Sequence, residues 1–359
     1  MSAQSSSPIS HAAVPANPLF DLSPDGTGQV DAPLQASFTL DSPSGDAGGV
    51  FLGGDFLLIR PTFSEAVAFA RGVQTPASIH MDGQALDFDH QPSFRLYGGV
   101  GLDSGDELRF TYWNFDGDVH VSGDAAPGTF IVDPFGNLVG AAAVVDPRDG
   151  RFVPPPPGGA GPTILVGGDF IQTEAVVDMN VFDLEYRRAI YADHRALRVD
   201  WTAGLRVADI DQFYRSFITT AGAPHSHGRF GVEFTGIGPR LGLDARRTTG
   251  SGRLAFFARA VGSLLVGSYD VDFVHDVFYP VVFSASQTQS MNRVIPVLES
   301  EIGVAYRPTD WIAFAAGWTF QAWYDMGTSG GTFGGFYAGA DDANIMTFDG
   351  LTLTTEIAF

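Results

Sequence analysis

The chain has 359 residues, a formal net charge of −21 and twenty basic residues, all of them arginine. This acidic balance argues against nucleic-acid binding, which needs a positively charged surface. The sequence contains no cysteine, which excludes disulfide bonds and thiolate metal sites. It also has no run of about 18 apolar residues, so no transmembrane helix is predicted.

Residues 1–48 are predicted to form a flexible N-terminal arm. They are rich in Ser, Pro, Gly, Ala and Asp and show no sustained hydrophobic periodicity. The first residues also lack the basic region and the apolar core of a secretory signal peptide. Since the rest of the chain predicts an exported protein, we expect that a signal was removed or that the start was replaced.

The first predicted strands follow this arm. GVFLGGDFLLIRP begins at Gly49, and a loop to about residue 91 separates it from SFRLYGGVGL, which begins at Ser93. A turn at residues 103–106 then leads into ELRFTYWNF from Glu107. In the second and third segments apolar residues recur at every second position, and this period of two is the signal of a strand with one apolar face.

Residues 116–173 are predicted to form one long loop that is rich in glycine and proline. Within it, TFIVDPFGNLVGAAAVVD is predicted to form a hairpin that turns at residues 134–137 and lies outside the membrane. A loop of this length is unusual in a compact soluble domain. It is typical of the extracellular side of a membrane barrel, where loops are long while periplasmic turns are short.

The clearest strand pair is NVFDLEYRRAIYADHRALRVDWTAGLRVA, residues 180–208. Apolar and polar residues alternate on both sides of a break at residues 192–195, as in Phe182-Asp183-Leu184. Each arm is longer than a typical strand of about 5–6 residues. Its length is that of a transmembrane strand, about 9–11 residues. The pattern predicts two adjacent barrel strands joined by a periplasmic turn at Asp193–His194.

Five further strands are predicted downstream, separated by alternating long loops and short turns. The long loops are expected at residues 209–231, 268–291 and 326–348, and the short turns at residues 248–252 and 307–310. The strand segments are FTGIGPRLGLDARR, LAFFARAVGSLLVG, RVIPVLESEIGVAY, WIAFAAGWTFQAW and GLTLTTEIAF.

These segments predict an all-β fold, a transmembrane up-and-down antiparallel β-barrel over residues 49–359. The expected number of strands is about ten, with twelve as the alternative, and an even number places both termini on the periplasmic side. Aromatic residues at the strand ends are expected to form two girdles at the membrane interfaces. The predicted girdles are Tyr112, Trp113, Phe115, Trp323 and Tyr324 near the long loops, and Tyr191, Tyr306, Trp311 and Phe359 near the turns.

Several segments resemble the Legionella-type major outer-membrane-protein family. The matching segments are ELRFTYWNF, VFDLEYRRAIY with LRVDWTAGLRVADIDQ, FTGIGPRLGLDARR, SLLVG, VLESEIGVAY, GWTFQAWY and DGLTLTTEIAF. The resemblance covers residues 50–359 and lies in framework strands. It implies a porin-like barrel in the outer membrane of a Gram-negative-type cell envelope. The terminal Phe359 is similar to the signal that the barrel-assembly machinery reads.

The inward-facing charged residues are the candidate functional residues. If they line an open lumen, they select ions or small polar solutes. If they pair with one another, they fill the interior instead, because ten strands lie close to the eight whose interior is filled by side chains. The second alternative is a structural or surface-interaction (adhesin-like) barrel with a closed, salt-bridged lumen. The predicted lumen-lining residues are Arg95, Arg109, Asp183, Glu185, Arg187, Arg198, Asp200, Arg206, Arg240, Asp244, Arg246, Arg259, Glu299, Glu301 and Glu356.

Other chemistry has little support in the sequence. There is no G-x-S-x-G, H-E-x-x-H or P-loop motif. Asp209, Asp211, His225 and His227 are expected near the outer rim, but their spacing does not bring a base within reach of a water molecule. We therefore expect no enzyme, no metal site and no cofactor. The expected partners are outer-membrane lipid, lipopolysaccharide and the barrel-assembly machinery, and not nucleic acid.

Overall fold

The computed structural model describes residues 49–64, 67–74, 79–102, 105–125, 129–132, 138–139, 144–145, 152–153, 170–192, 197–220, 222–250, 252–278, 282–326 and 345–359. The predicted flexible arm, residues 1–48, and the predicted turn at Asp193–His194 lie outside these residues. Within the described ranges there is no helix with the length and hydropathy needed to cross a membrane.

The described residues form sixteen strands, of which ten close into one barrel. In chain order the strands are β1 (Val50–Phe63), β2 (Val67–Gln74), β3 (Ile79–Ala85), β4 (Gln91–Gly101), β5 (Glu107–Asp124), β6 (Thr129–Val132), β7 (Leu138–Val139), β8 (Val144–Val145), β9 (Phe152–Val153), β10 (Phe170–Ala192), β11 (Leu197–Thr220), β12 (Ala223–Thr248), β13 (Leu254–Val277), β14 (Phe283–Tyr306), β15 (Ile312–Tyr324) and β16 (Ile345–Ala358). The barrel order is β1-β4-β5-β10-β11-β12-β13-β14-β15-β16 and back to β1, with every pair antiparallel. The predicted ten-stranded up-and-down barrel is therefore confirmed.

Six barrel strands, β5 and β10 to β14, are much longer than the sequence predicted. Strands β11 to β14 have 24 to 26 residues, whereas β15 and β16 have 13 and 14. The loops expected at residues 209–231 and 268–291 are wrong, because β11 and β12 occupy the first segment and β13 and β14 occupy most of the second. The turn between β11 and β12 includes Gly222, whose φ of 81° is costly for a residue with a Cβ atom.

The apolar face of these long strands changes sides along their length, and this explains the error. On β13, Leu264 and Val266 are exposed on the outer face, whereas Tyr269 and Val271, further from the short turns, are buried inside. Strands β10, β11 and β12 make the same change. The prediction followed apolar residues on the outward face, so it ended each strand where that face becomes polar. The strand itself continues, with its apolar side chains directed inward.

The change of sides occurs at one row of polar residues, here called the boundary row. Its members are register partners across six adjacent strands, and the Thr235 hydroxyl donates to Asp209 at 2.8 Å. Between this row and the short turns the outer face is apolar, and we call this part the apolar belt. On β11 the belt runs from Leu197 to Val207. Its length is close to that of a membrane-spanning strand, about 9–11 residues. The boundary row consists of Asn114, Asn180, Asp209, Thr235, Ser268 and Asn292.

The long connections contribute a second, smaller sheet with the order β3-β2-β6-β7. It joins a hairpin from the first connection, β2–β3, to a hairpin from the second connection, β6–β7. The pairing of Val132 with Leu138 confirms the predicted hairpin within residues 116–173, whose turn lies outside the described residues. Because β5 extends to Asp124 and β10 begins at Phe170, the connection between these strands comprises residues 125–169.

Candidate functional site

The barrel interior between the boundary row and the short turns is filled with charged side chains, here called the charge layer. The strand alternation directs them inward, as it does Asp183 between the exposed Phe182 and Leu184. All the predicted lumen-lining residues lie in this layer, and most are buried. It consists of eight arginines (95, 109, 187, 198, 206, 240, 246 and 259) and nine carboxylates (Asp55, Glu107, Asp183, Glu185, Asp200, Asp244, Glu299, Glu301 and Glu356).

Arg206 and Arg240 lie at the centre of the charge layer. Arg206 donates from Nε and Nη2 to the two carboxylate oxygens of Asp183, each at 2.7 Å, and its Nη1 contacts Glu299. Arg240 binds the same Glu299, and its Nε donates to Glu185 at 2.5 Å. These bonds link four strands across the interior. Paired geometry of this kind is what allows charges to remain buried at tolerable cost.

Further ion pairs extend the layer toward the short turns. Arg259 donates from Nη2 to both oxygens of Glu185 at 2.9 Å. Arg95 binds Asp55 on β1 through Nε and donates from Nη2 to Glu301 on β14 at 3.1 Å. Arg95 lies on β4, next to β1, so its bond to Glu301 on β14 spans the barrel interior.

The first and last parts of the chain meet in a third group of ion pairs. Arg109 on β5 lies 3.3 Å from Glu107 and 3.4 Å from Glu356, which belongs to the final strand. Arg187 Nη2 lies 3.8 Å from Asp244. Charged groups from distant parts of the sequence therefore hold the closed barrel together.

The register changes one detail of the predicted network. From the predicted hairpin of residues 180–208, Glu185 and Arg187 of the first arm are expected near Arg198 and Asp200 of the second arm. The register instead puts Glu185 opposite Gly204, and a bulge follows at residues 189–191. The Glu185 carboxylate therefore meets arginines of β12 and β13, whereas Arg198 Nε donates to Asp200 at 2.8 Å on its own strand.

A small cavity of about 90 Å³ lies within the charge layer. Its lining includes Asp55, Arg95, Arg109, Arg246 and Glu301. This volume holds a few water molecules, because each water occupies about 30 Å³ in the liquid. It is too small for the drug-sized ligands that fill pockets of roughly 300–1,000 Å³.

At and beyond the boundary row the interior is lined mainly by apolar side chains, with a few polar ones such as Gln212 and His275, and we call this region the aromatic layer. Its centre is Phe348, whose ring meets Trp113 edge-on at 5.7 Å and Phe115 at 5.1 Å. Trp323 is fully buried in the same cluster, and Arg206 of the charge layer lies 5.7 Å from its ring. The aromatic layer therefore rests directly on the charge layer.

The predicted outer girdle is partly wrong for this reason. Trp113, Phe115 and Trp323 are at most 3% exposed and point into the barrel. Tyr112 and Tyr324 lie on the outer face as expected. Alternation alone does not distinguish the two faces at this level, because the apolar side chains change sides here.

The hairpin β2–β3 closes the far end of the interior. Ala68 and Phe69 of β2 are fully buried and join the apolar cluster of the barrel wall. The Tyr214 hydroxyl on β11 donates to the Ala68 carbonyl oxygen at 2.6 Å. Phe88, which follows the hairpin, packs at 5.8 Å from Phe63 at the end of β1. The first long connection therefore folds back into the barrel instead of extending away from it.

Sequence reasoning missed Asp55 and the aromatic layer. Asp55 interrupts the apolar segment FLGGDFLLIRP on the same face as Leu57 and Ile59, and all three side chains are buried inside. A single carboxylate on an otherwise apolar face was the available signal. The aromatic layer had a comparable signal in YDVDFV, residues 269–274, where apolar residues alternate with aspartate and no lipid-facing stripe is present.

The Asp and His residues considered for catalysis are not brought together. Asp209 and Asp211 are exposed on the outer face of β11, next to Thr235 and Glu233 of β12. His227 pairs in register with Phe217, six positions beyond Asp211, which is roughly 20 Å along the strand. No group of three His, Cys, Asp or Glu residues within the described ranges has a geometry that would hold a metal ion.

A second row of five carboxylates crosses the outer face just beyond the boundary row, and we call it the acidic row. Its members are direct cross-strand neighbours, an arrangement that is destabilising for like charges. Partial burial and the neighbouring carboxylates of Asp116 and Asp211 raise the pKa of Asp178 above its ordinary value. Partial burial likewise raises the pKa of Asp211, and Arg229 opposes this shift. The acidic row consists of Asp116, Asp178, Asp211, Glu233 and Asp270.

A closed ten-stranded barrel with an apolar outer belt, a charged interior and long connections at one end defines a class, the integral β-barrel proteins of the outer membrane. The family model described as Legionella pneumophila major outer membrane protein precursor matches residues 47–358. The chain belongs to this family, as its framework segments predicted. It is therefore an outer-membrane protein.

Comparison with other proteins adds only a general likeness. No curated protein matches the chain. Among solved structures, the Escherichia coli outer membrane protease OmpT matches with 10% identity and a TM-score of 0.41, covering 87% of this chain and 97% of that chain. The Pseudomonas putida toluene transporter TodX matches with 7% identity and a TM-score of 0.23, covering 87% and 89%. At TM-scores below 0.5 these likenesses say nothing about what this chain does.

Proposed function

We propose that this protein is a structural or surface-interaction barrel with a closed lumen, and not an open pore. The observation that supports this proposal is the stacking of two filled layers in the interior. The charge layer neutralises its own groups largely by pairing, and the aromatic layer is lined mainly by apolar side chains, with few polar groups such as Gln212 to replace the water that an ion would have to shed. The hairpin β2–β3 adds a third obstruction at the long-connection end.

The part of the barrel beyond the boundary row supports a role at the cell surface. Strand β11 continues for twelve residues past Ala208, which is roughly 40 Å along the strand. Its outer face carries Asp209, Asp211, Arg215 and Thr219 beside two phenylalanines, and is thus largely polar, as expected for a surface in water. We propose that this wall and its long connections meet lipopolysaccharide or other envelope components, and that Phe359 engages the barrel-assembly machinery. We propose no catalytic activity, because the candidate Asp and His residues lie apart.

Porin-like passage of ions or small polar solutes is the second candidate. The cavity of about 90 Å³ in the charge layer favours it, because charged side chains surround a space that holds water. The aromatic layer opposes it, since Trp323 and Phe348 are fully buried immediately beyond the charged groups.

Conductance in a planar lipid bilayer distinguishes the two proposals. The purified full chain should insert without producing steady current steps at high salt. A variant without residues 67–85 should also stay silent, because the charge layer and the aromatic layer remain in place. Steady steps from the native protein, with an ion selectivity that Glu299→Ala changes, would overturn the closed-lumen proposal and support passage.

A further inference from the structure

The outer face of the barrel carries exposed arginines where the apolar belt meets the short turns. Arg188 on β10, Arg247 on β12 and Arg253 in the turn before β13 are all exposed, and the side chain of Arg188 is 61% exposed. Over β10 to β13 they are the exposed charged residues that the structure describes at this end. We call them the basic rim. Its sign is opposite to that of the acidic row at the other edge of the belt.

Ion pairing accounts for little of the basic rim. Arg188 Nε lies 3.7 Å from Asp106, beyond hydrogen-bond distance. In the described part of the chain no carboxylate lies within 4.0 Å of the guanidinium of Arg247 or Arg253. Arg188 therefore has one loose anionic partner, Asp106, and among the described residues Arg247 and Arg253 have none; all three guanidinium groups stand at the edge of a surface that contacts lipid. A guanidinium in this position offers paired N–H donors that match the oxygens of a phosphate.

Aromatic and apolar side chains fix the depth of these arginines. Arg188 is the register neighbour of Trp201, and Trp201 packs edge-on against Tyr186 with ring centroids 5.8 Å apart. Arg247 is the register neighbour of Leu197 and of Phe256, which are 40% and 53% exposed. Aromatic rings with one polar edge favour the headgroup level of a membrane. The basic rim therefore lies where lipid phosphates lie.

We propose that the basic rim binds the phosphates of anionic phospholipids in the periplasmic leaflet of the outer membrane. The short turns of such barrels face the periplasm, so this end meets the inner leaflet. The sector from β10 to β13 attracts anionic headgroups, whereas the opposite sector at β15 and β16 carries no exposed arginine within the described residues. An anionic lipid is favoured over a zwitterionic one because each arginine near the surface adds electrostatic attraction to the negatively charged headgroups.

The absence of cysteine allows a direct test with one reporter at a time. Ala203→Cys places a fluorophore on the outer face of β11, beside Tyr186 and near Arg188, and Ala316→Cys places the same fluorophore on the outer face of β15. Both variants are refolded into vesicles of brominated phosphatidylglycerol or brominated phosphatidylcholine, and the quenching gives the relative lipid association constant at each site. We expect about a fivefold preference for phosphatidylglycerol at residue 203 and none at residue 316.

The proposal also requires that the arginines cause the preference. Arg247→Gln with Arg253→Gln, which leaves the contact of Arg188 with Asp106 intact, should lower the preference at residue 203, and the added Arg188→Gln should abolish it. Arg247→Lys should retain most of it, because the charge remains. Equal quenching by both lipids at residue 203, an equal preference at residue 316, or a preference that survives all three glutamine substitutions would overturn the proposal. Loss of the preference upon addition of millimolar glycerol phosphate would assign the site to a soluble anion instead.

Discussion

Arg206 on β11 holds Asp183 on β10 through two parallel hydrogen bonds of 2.7 Å, and the same guanidinium contacts Glu299 on β14. A single side chain thus neutralises two carboxylates in the centre of the barrel. The charge layer depends on such shared groups more than on isolated pairs.

Arg206→Ala should destabilise the barrel strongly, because it leaves Asp183 and Glu299 buried with less compensating charge. We expect a loss of about 3–5 kcal/mol in the free energy of unfolding, measured by urea titration in detergent micelles with the heat-modifiable gel band as the readout. Adding Asp183→Asn should recover part of this loss.

The matched control for this prediction is Arg198→Ala. The Arg198 side chain is 24% exposed, and its partner Asp200 lies on the same strand. Because Arg198→Ala leaves one buried carboxylate, that of Asp200, whereas Arg206→Ala leaves two, we expect a smaller loss of about 1–3 kcal/mol. Equal losses for the two alanine variants would contradict the central role of Arg206.

Tyr214→Phe should loosen the hairpin β2–β3 without opening the barrel. The substitution removes the hydrogen bond to the Ala68 carbonyl oxygen, a loss of about 1 kcal/mol. Trypsin should then cut more rapidly after the exposed Arg71 of β2, as followed by mass spectrometry. Tyr112→Phe, which removes a bond to Asn180 on the outer face, serves as the control and should leave the rate of this cut unchanged.

Gly238→Ala should impair folding, because a Cβ atom there overlaps the carbonyl oxygen of Leu264 on the neighbouring strand. Backbone atoms cannot move aside as a flexible side chain does, so strands β12 and β13 must separate locally. Gly262→Ala is the control, since its nearest neighbour would be the Val297 carbonyl oxygen at 4.0 Å. The fraction refolded into vesicles should fall for the first variant only, and a similar fall for both would contradict the steric argument.

Asp178→Asn should stabilise the part of the barrel beyond the boundary row by a few tenths of a kcal/mol, because it relieves repulsion from Asp116 and Asp211. The pKa of Asp178 is raised, so the folded state binds the proton more readily and stability rises as pH falls through the folded pKa. This gain is complete below the ordinary pKa of 3.8. The substitution should therefore reduce the pH dependence of the unfolding midpoint between pH 4 and 6, and high salt should reduce its effect.

The control for this prediction is Asp124→Asn at the end of β5. Asp124 is exposed and its register neighbour on β10 is Phe170, so no carboxylate faces it across the pair. The unfolding midpoint of this variant should follow that of the native protein at each pH. A larger effect from Asp124→Asn than from Asp178→Asn would show that the repulsion does not lie in the acidic row.

The membrane-spanning half of the fold was predictable because lipid imposes one rule on every strand. Phe182 and Leu184 must face outward and Asp183 must face inward, so strand, face and interior charge followed from a single alternation. The ion-pair partners were harder to predict, because they depend on the strand register. Glu185 contacts Arg240 and Arg259 in the observed register, which the alternation of residues does not determine.

The outer half was not predictable by the same rule. Beyond the boundary row the solvent outside is water, and the inside takes the apolar residues instead. On β13 the polar Ser263 faces inward and the apolar Leu264 faces outward, whereas the polar Asp270 faces outward and the apolar Val271 faces inward. The hairpin β2–β3 was also missed, because a segment that packs inside a barrel needs no long periodic pattern of its own.

The ion pair between Arg109 and Glu356 has a consequence for the order of assembly. Glu356 is delivered by the last strand, 247 positions after Arg109, and Arg95 likewise waits 206 positions for Glu301. Until β14 and β16 are in place, Arg95 and Arg109 each lack one of the two carboxylates that they contact in the closed barrel. In an unclosed chain these incompletely paired charges therefore favour contact with water. We expect full insertion into the bilayer to follow the pairing of the final strand with β1.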